Sequence, residues 1–163
     1  MMIATKQIEM MVRVPNGPAA LGRLIAVVSS CGTEVLAACS YWDQAGPVVM
    51  LVTENPRRAT CTLEDAGFKC KSNEVVLVET PDKPGLAALL GQRLAAAGVN
   101  ILYSYAFRSE RHQSYVVFKT SDDDRALYII GVEALIHELA AGRSWRRPGA
   151  ARVEELDAEP QAA

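Results

Sequence analysis

An internal repeat at a distance of 66 positions is the feature of this sequence that most constrains its fold. Six pairs of proline, glycine or apolar residues coincide under this shift without a gap: Pro18 with Pro84, Leu24 with Leu90, Val28 with Leu94, Gly32 with Gly98, Val35 with Ile101, and Val52 with Phe118. Self-similarity of this kind indicates a duplicated structural unit. Residues 1–72 (repeat 1) and residues 73–141 (repeat 2) are therefore predicted to be two units of the same fold.

Each repeat is predicted to begin with a strand followed by a helix. The strands Ile8–Val14 and Val75–Glu79 are apolar and β-branched, and each runs into turn-forming residues. Apolar residues then recur at helical spacing: Leu21, Leu24, Ile25 and Val28 in repeat 1, and Leu86, Leu89, Leu90 and Leu94 in repeat 2. Gly32 and Gly98 follow these helices and are predicted to end them in a left-handed conformation.

The second half of each repeat is predicted to contain a hairpin and another helix. The hairpin strands are Glu34–Tyr41 with Pro47–Thr53, and Asn100–Phe107 with Ser114–Thr120. Asn55 followed by a proline, and the run Ser121–Asp124, are typical helix starts. The order predicts an α+β fold of two ferredoxin-like βαββαβ units, with antiparallel sheets and helices on one face.

The end of repeat 2 is less determined than the end of repeat 1. Phe68–Lys71 is predicted to be the fourth strand of repeat 1, whereas Val132–Leu139 is compatible with a fourth strand or with a helix. Residues 142–163 are polar and are predicted to form a disordered tail. A lone unit of this size is marginally stable, so the two repeats are expected to share a core and the chain to form a homodimer.

Composition excludes several functional classes. A formal net charge of −2 over 163 residues argues against binding to duplex nucleic acid, and no apolar run is long enough to span a membrane. The cysteines (Cys31, Cys39, Cys61 and Cys70) contain no Cys-x-x-Cys pair and lie far from both histidines, so no metal site or cofactor is expected. Without an export signal they are interpreted as reduced thiols of a cytoplasmic protein, with Cys31 in the core.

Catalysis and RNA binding also find little support. No phosphate-binding glycine loop and no catalytic constellation is suggested by spacing, so the chain is interpreted as a non-enzyme. RNA-recognition modules need aromatic residues on two central strands, and the first strand of each repeat has none. In repeat 2, Ile101, Tyr103, Tyr105 and Phe107 are predicted to share one sheet face, as core or interface residues more than as a ligand platform.

Repeat 2 carries the motif Pro81-Asp82-Lys83-Pro84-Gly85-Leu86, and later Gly98-Val99-Asn100-Ile101. With the duplication, this sequence resembles the stand-alone proteins built from two ACT domains, over residues 7–141. The resemblance implies that a small free amino acid binds between paired domains. The loop before the first helix and the asparagine that opens the second strand would hold the amino acid.

The resemblance places the ligand-binding residues in repeat 2, at Asp82, Lys83, Pro84, Gly85, Leu86, Asn100 and Ile101. Backbone N–H groups at a helix N-terminus suit a carboxylate, and the amide of Asn100 offers both a donor and an acceptor. Asp82 is the expected partner of the ammonium group. The alternative is that these residues have a structural role only, as a turn and a helix start, and bind no ligand.

Repeat 1 departs from the motif, because Ala19 replaces the glycine and Glu34 replaces the asparagine. Asn16 and Glu34 are therefore expected to form at most a weaker second site. The resulting hypothesis is a regulatory amino-acid-binding protein that signals through its assembly or a partner. The alternative is a ligand-free scaffolding subunit of an amino-acid biosynthetic enzyme.

Overall fold

Ten secondary-structure elements follow one another in the computed structural model, which describes residues 2–17, 19–81, 85–108 and 113–145. They are β1 (Ile3–Arg13), α1 (Ala20–Ser30), β2 (Val35–Asp43), β3 (Gly46–Thr53), α2 (Pro56–Asp65), β4 (Lys69–Pro81), α3 (Leu86–Ala96), β5 (Ile101–Arg108), β6 (Gln113–Thr120) and α4 (Asp123–Trp145). Pro18, Asp82, Lys83 and Pro84 lie outside the described residues, as do residues 146–163.

All six strands form one antiparallel sheet in the order β2-β3-β1-β4-β6-β5. Met10 and Val12 of β1 pack under α1 and α2, and Val76 and Val78 of β4 pack under α3 and α4. In the β1–β4 register, even-numbered residues of β1 lie opposite even-numbered residues of β4, so these four side chains point to the same face of the sheet. All four helices therefore lie on that face. The predicted α+β class, with two ferredoxin-like units and helices on one face, is confirmed.

The two repeats share strands that the sequence predicts as separate. The sequence predicts two strands, Phe68–Lys71 and Val75–Glu79, but β4 runs continuously from Lys69 to Pro81 and serves both repeats. The first half of β1 pairs only with β4, from Ile3 opposite Glu79 to Ile8 opposite Glu74. It therefore occupies the fourth-strand position of repeat 2, where Met2 joins the core beneath α3 and α4.

This strand exchange settles the assignment of Val132–Leu139, which is helical and belongs to α4. The first half of β1 already occupies the fourth-strand position of repeat 2 beside β4, so Val132–Leu139 has no free strand edge to pair with at that position. Lys6 of β1 forms an ion pair with Asp124 at the start of α4, at 2.7 Å. The helix continues to Trp145 and so includes residues 142–145, where the sequence predicts a tail.

Local signals define the helix ends as predicted. Gly32 and Gly98 have positive φ values of 66° and 71°, the left-handed conformation that stops a helix. The side chain of Asn55 accepts a hydrogen bond from the Arg58 N–H at 3.0 Å and caps α2. Cys31 is buried beneath α1, as expected.

The sheet curls away from its helices, so that Cα atoms of the edge strands β2 and β5 come within 8 Å of each other. Both edge strands contain a β-bulge at equivalent repeat positions, Val35/Ala37 and Ile101/Tyr103, and bulges increase strand bending. The bulge also corrects one prediction: Ile101 does not share a face with Tyr103 and Tyr105. Its side chain lies beside Gly91 on the helical side of the sheet.

Candidate functional site

The described part of the predicted site in repeat 2 begins at the N-terminus of α3. Gly85 is the N-cap residue, with a φ of 83° that glycine adopts without strain. A Cβ at Gly85 would meet no heavy atom of the described residues within 4 Å, so this part of the structure leaves the space around Gly85 open. Within the described residues no side chain caps α3, which leaves the N–H groups of its first turn available to a ligand.

Leu86 begins α3 and can take part in the predicted site through its backbone. Its side chain is buried in the core beneath α3 and α4, so it anchors the start of the helix and only its backbone can contact a ligand. The other members of this loop, Asp82, Lys83 and Pro84, are among the residues that the structure does not describe.

Asn100 lies just before β5 and its backbone is fixed by Ser121. The Asn100 N–H donates to Ser121 Oγ at 3.1 Å, and the Asn100 carbonyl accepts from the Ser121 N–H at 2.9 Å. The carboxamide is exposed and has no hydrogen bond to any residue that the structure describes. It is a positioned polar group with its donor and acceptor unused.

The Gly85 and Asn100 halves of the predicted site do not meet within one chain. Gly85 precedes α3 and Asn100 follows it, and a helix of 11 residues is about 16 Å long. The charged groups of a free amino acid are only a few ångströms apart. One chain therefore presents two half-sites at opposite ends of α3.

The weaker site predicted in repeat 1 is divided in the same way. Asn16 precedes α1, whereas Glu34 follows it and is exposed, with its carbonyl bonded to the Glu54 N–H at 3.0 Å. An 11-residue helix again lies between the two residues. Asn16 and Glu34 do not form a common site in one chain.

Asn16 instead lines a cavity of about 650 Å³ at one end of repeat 1. Three connections meet there: the β1–α1 loop, the β2–β3 turn and the α2–β4 turn. The lining residues are Arg13, Val14, Pro15, Asn16, Ala19, Ala20, Arg23, Ala45, Gly46, Pro47, Ala66, Gly67, Phe68 and Lys69. Sequence reasoning missed this cavity, because only tertiary packing brings these connections together.

Two arginines of the cavity wall are held in place by neighbours. Arg23 donates to the Ala66 carbonyl at 3.0 Å, and its guanidinium lies 5.5 Å from the centre of the Phe68 ring. Arg13 makes a two-pronged contact with Asp43, at 2.8 and 2.7 Å. That contact, with a further hydrogen bond from the Ala45 N–H, lowers the pKa of Asp43 to about 2.

A second feature that the sequence did not reveal is a buried carboxyl group on the sheet face opposite the helices. Glu9 of β1 is 0% exposed and accepts hydrogen bonds from the phenols of Tyr103 and Tyr105 on β5, the latter at 2.8 Å. Burial, followed by the neighbouring Glu9, raises the pKa of both phenols above their usual range. This cluster connects the two repeats across the curled sheet.

Neither a metal-binding cluster nor a membrane-spanning helix is present among the described residues. They contain no group of three or more His, Cys, Asp or Glu side chains that could hold a metal ion. No helix among them is both long and apolar enough to cross a bilayer.

Comparison with known proteins identifies the repeated unit. A family model described as an ACT domain pair matches residues 4–139. A search of curated protein sequences finds no match.

Solved structures with the same fold include a regulatory subunit of aspartate kinase and an aspartate kinase. A protein of Bacteroides thetaiotaomicron has a TM-score of 0.63 at 23% identity, covering 82% of this chain and 90% of that one. The ligand-free regulatory subunit of aspartate kinase from Thermus thermophilus has a TM-score of 0.54 at 14% identity, covering 80% and 94%. Aspartate kinase of Clostridium acetobutylicum has a TM-score of 0.53 at 16% identity, covering 79% of this chain and 33% of the enzyme.

Proposed function

The chain belongs to the ACT domain pair family, and on that premise we propose that it is a non-catalytic regulatory protein that binds a small free amino acid. The binding site lies between ACT domains of two chains, which form a homodimer. Occupancy of the site is passed on through the state of assembly or through a partner protein.

The observation that carries this proposal is the division of the motif residues by α3. Gly85 and Asn100 lie at opposite ends of a helix about 16 Å long, so a single chain cannot hold one amino acid with both. A two-fold axis that places Gly85 of one chain beside Asn100 of the partner completes two equivalent sites. An isologous interface repeats each contact in this way.

Each half-site offers a different part of the recognition. The uncapped N–H groups of the first turn of α3 favour the α-carboxylate, and the open space at Gly85 lets the ligand approach the backbone. Asn100 of the partner chain supplies a donor and an acceptor. Asp82, with Lys83 and Pro84, completes the loop, and Asp82 holds the ammonium group. Ile101, which is partly exposed beside Asn100, contacts the ligand's side chain.

A regulatory role is supported by the structural relatives, two of which are a regulatory subunit of aspartate kinase and an aspartate kinase. Ligand binding between two chains changes an equilibrium only by the difference in its affinity for the two arrangements. The alternative role is a ligand-free subunit that associates with an amino-acid biosynthetic enzyme. Association that is the same with and without any amino acid favours this alternative.

A thermal-shift screen against the twenty amino acids identifies the ligand. At about 100 times its Kd a ligand stabilises the native state by about 2.7 kcal/mol, which at this length is a rise in Tm of roughly 5–11 °C. Asn100→Ala is expected to weaken binding by about 1–3 kcal/mol, roughly 5- to 150-fold. The matched control is Gln92→Ala, which removes an exposed carboxamide from the middle of α3 and should leave affinity unchanged.

Complementation between two variants tests the two-chain site directly. Gly85→Val disables one half-site, because valine fills the open space and does not adopt a φ of 83° without strain, and Asn100→Ala disables the other. Each variant alone should bind weakly, whereas their mixed dimer contains one site with both native halves. About half of the dimers in an equimolar mixture are mixed, so the mixture should recover about a quarter of the native binding capacity in calorimetry. A mixture that recovers nothing, although ultracentrifugation shows mixed dimers, contradicts the proposal.

A further inference from the structure

The cavity of repeat 1, about 650 Å³, has the size of a small-molecule site and is separate from the half-sites at Gly85 and Asn100. We infer that this cavity binds an organic carboxylate that has an apolar body and no amino group. This ligand differs in chemistry from the zwitterionic amino acid proposed for repeat 2, and the inference does not depend on that proposal.

The charges in the wall have one sign. Arg13, Arg23 and Lys69 line the cavity, and among the residues that the structure describes no aspartate or glutamate does. Arg13 is neutralised by Asp43, which lies outside the wall. Arg23 and Lys69 have no ion pair with any residue that the structure describes, which leaves two uncompensated positive charges beside the cavity.

Arg23 is a prepared donor for a carboxylate. Its contacts with the Ala66 carbonyl and the Phe68 ring fix the plane of the guanidinium but use only one of its five N–H donors. A planar guanidinium held in advance loses little conformational freedom when it binds a carboxylate in two places. Lys69 adds a second cation at the same wall.

The remaining wall is mostly apolar; among the described lining residues Asn16 is the only uncharged polar side chain, and it offers an ammonium group no countercharge. Val14, Pro15, Ala20, Pro47 and Phe68 provide apolar surface suited to an alkyl or aryl body.

Three carbonyl groups around the cavity are already engaged as well. Those of Ala19, Pro47 and Ala66 accept hydrogen bonds from Arg23 N–H, Val14 N–H and the Arg23 guanidinium. An ammonium group would therefore lose water without gaining an acidic partner, beside two cations. This cost discriminates against amino acids and in favour of their deaminated counterparts.

Three probes that share one body test this inference on the full-length protein by calorimetry: 3-phenylpropanoate, L-phenylalanine and 3-phenylpropylamine. The propanoate should bind at least tenfold more tightly than phenylalanine, and the amine should not bind. Equal or tighter binding of phenylalanine at this cavity overturns the inference, as does the absence of propanoate binding at millimolar concentration.

Variants that each remove one positive charge from the cavity wall test where the carboxylate binds. Arg23→Gln and Lys69→Gln should each weaken binding of 3-phenylpropanoate by roughly 10- to 100-fold, as expected for a lost hydrogen bond to a charged group. The side chain of Lys69 is exposed and forms no ion pair with the described part of the chain, so its variant remains informative if Arg23→Gln is unstable.

Two controls remove one positive charge outside the cavity. Arg57→Gln on α2 and Lys71→Gln on β4 should leave propanoate affinity unchanged. Asn100→Ala should also leave it unchanged, which separates this cavity from the proposed amino-acid site. Equal losses in Lys69→Gln and Lys71→Gln would mean non-specific attraction to a basic surface and would refute the inference.

Discussion

Replacing Tyr105 by phenylalanine tests whether the buried Glu9 cluster holds the two repeats together. Tyr105 donates to Glu9 at 2.8 Å across the curled sheet, and Glu9 is fully buried. Tyr105→Phe keeps the ring and its packing but removes the hydroxyl. Among the described residues, Tyr103 is then the remaining hydrogen-bond donor to the Glu9 side chain.

The expected cost follows from the unsatisfied acceptor. Leaving a buried polar group without its hydrogen bond costs about 1–3 kcal/mol, so a loss of about 2 kcal/mol in the free energy of unfolding is expected. For a chain of this length that corresponds to a fall in Tm of about 4–8 °C. Urea denaturation measures it, as a lower midpoint with an unchanged slope.

Tyr128→Phe is the matched control, because Tyr128 lies on α4 with 74% of its surface exposed. Its variant should stay within about 0.5 kcal/mol of the native protein. In a double-mutant cycle, Tyr105→Phe should cost little once Glu9 is replaced by leucine, since the acceptor is gone. An effect of Tyr105→Phe no larger than that of Tyr128→Phe, or equal in both backgrounds, would refute the reasoning.

Further predictions concern pH, capping and packing. Burial, followed by Glu9, raises the pKa of Tyr105, so the folded state holds the phenol proton more tightly than the unfolded state does. The free energy of unfolding should therefore fall as pH rises above about 10, and it should fall less steeply in Tyr105→Phe. Arg13 lowers the pKa of Asp43 to about 2, so the stabilisation from the ionised Asp43 carboxylate should be lost as pH falls from about 4 towards 2. In an acid titration followed by circular dichroism, Asp43→Asn should remove the loss of stability that occurs in this pH range. Asp122→Ala removes the acceptor for an N–H in the first turn of α4 and should cost about 1 kcal/mol in urea denaturation. Leu90→Ala in the core should cost about 2–5 kcal/mol by the same assay, whereas Leu102→Ala, 61% exposed, should cost little.

Local sequence signals determined most elements of this protein. The helix stops at Gly32 and Gly98, the cap at Asn55 and the apolar periodicity of α1 and α3 depend on residues a few positions apart. The repeat at a distance of 66 positions shows that the two halves are copies of one structural unit. Together with the motifs of repeat 2, it also indicates the family. Such features are readable because the interactions that create them lie within one turn or one strand.

Tertiary structure decided which segments meet. The first half of β1 pairs with β4 and completes repeat 2. The sequence around Ile3 does not identify this partner strand, because strand pairing depends on backbone groups that every residue carries. Glu9 becomes buried only because β5 curls back over β1, and the cavity at Arg23 forms only where three distant connections converge. The length of α3 likewise separates Gly85 from Asn100, two motif residues that the sequence suggests as one site. Sequence determined which groups are present, and long-range packing determined the distances between them.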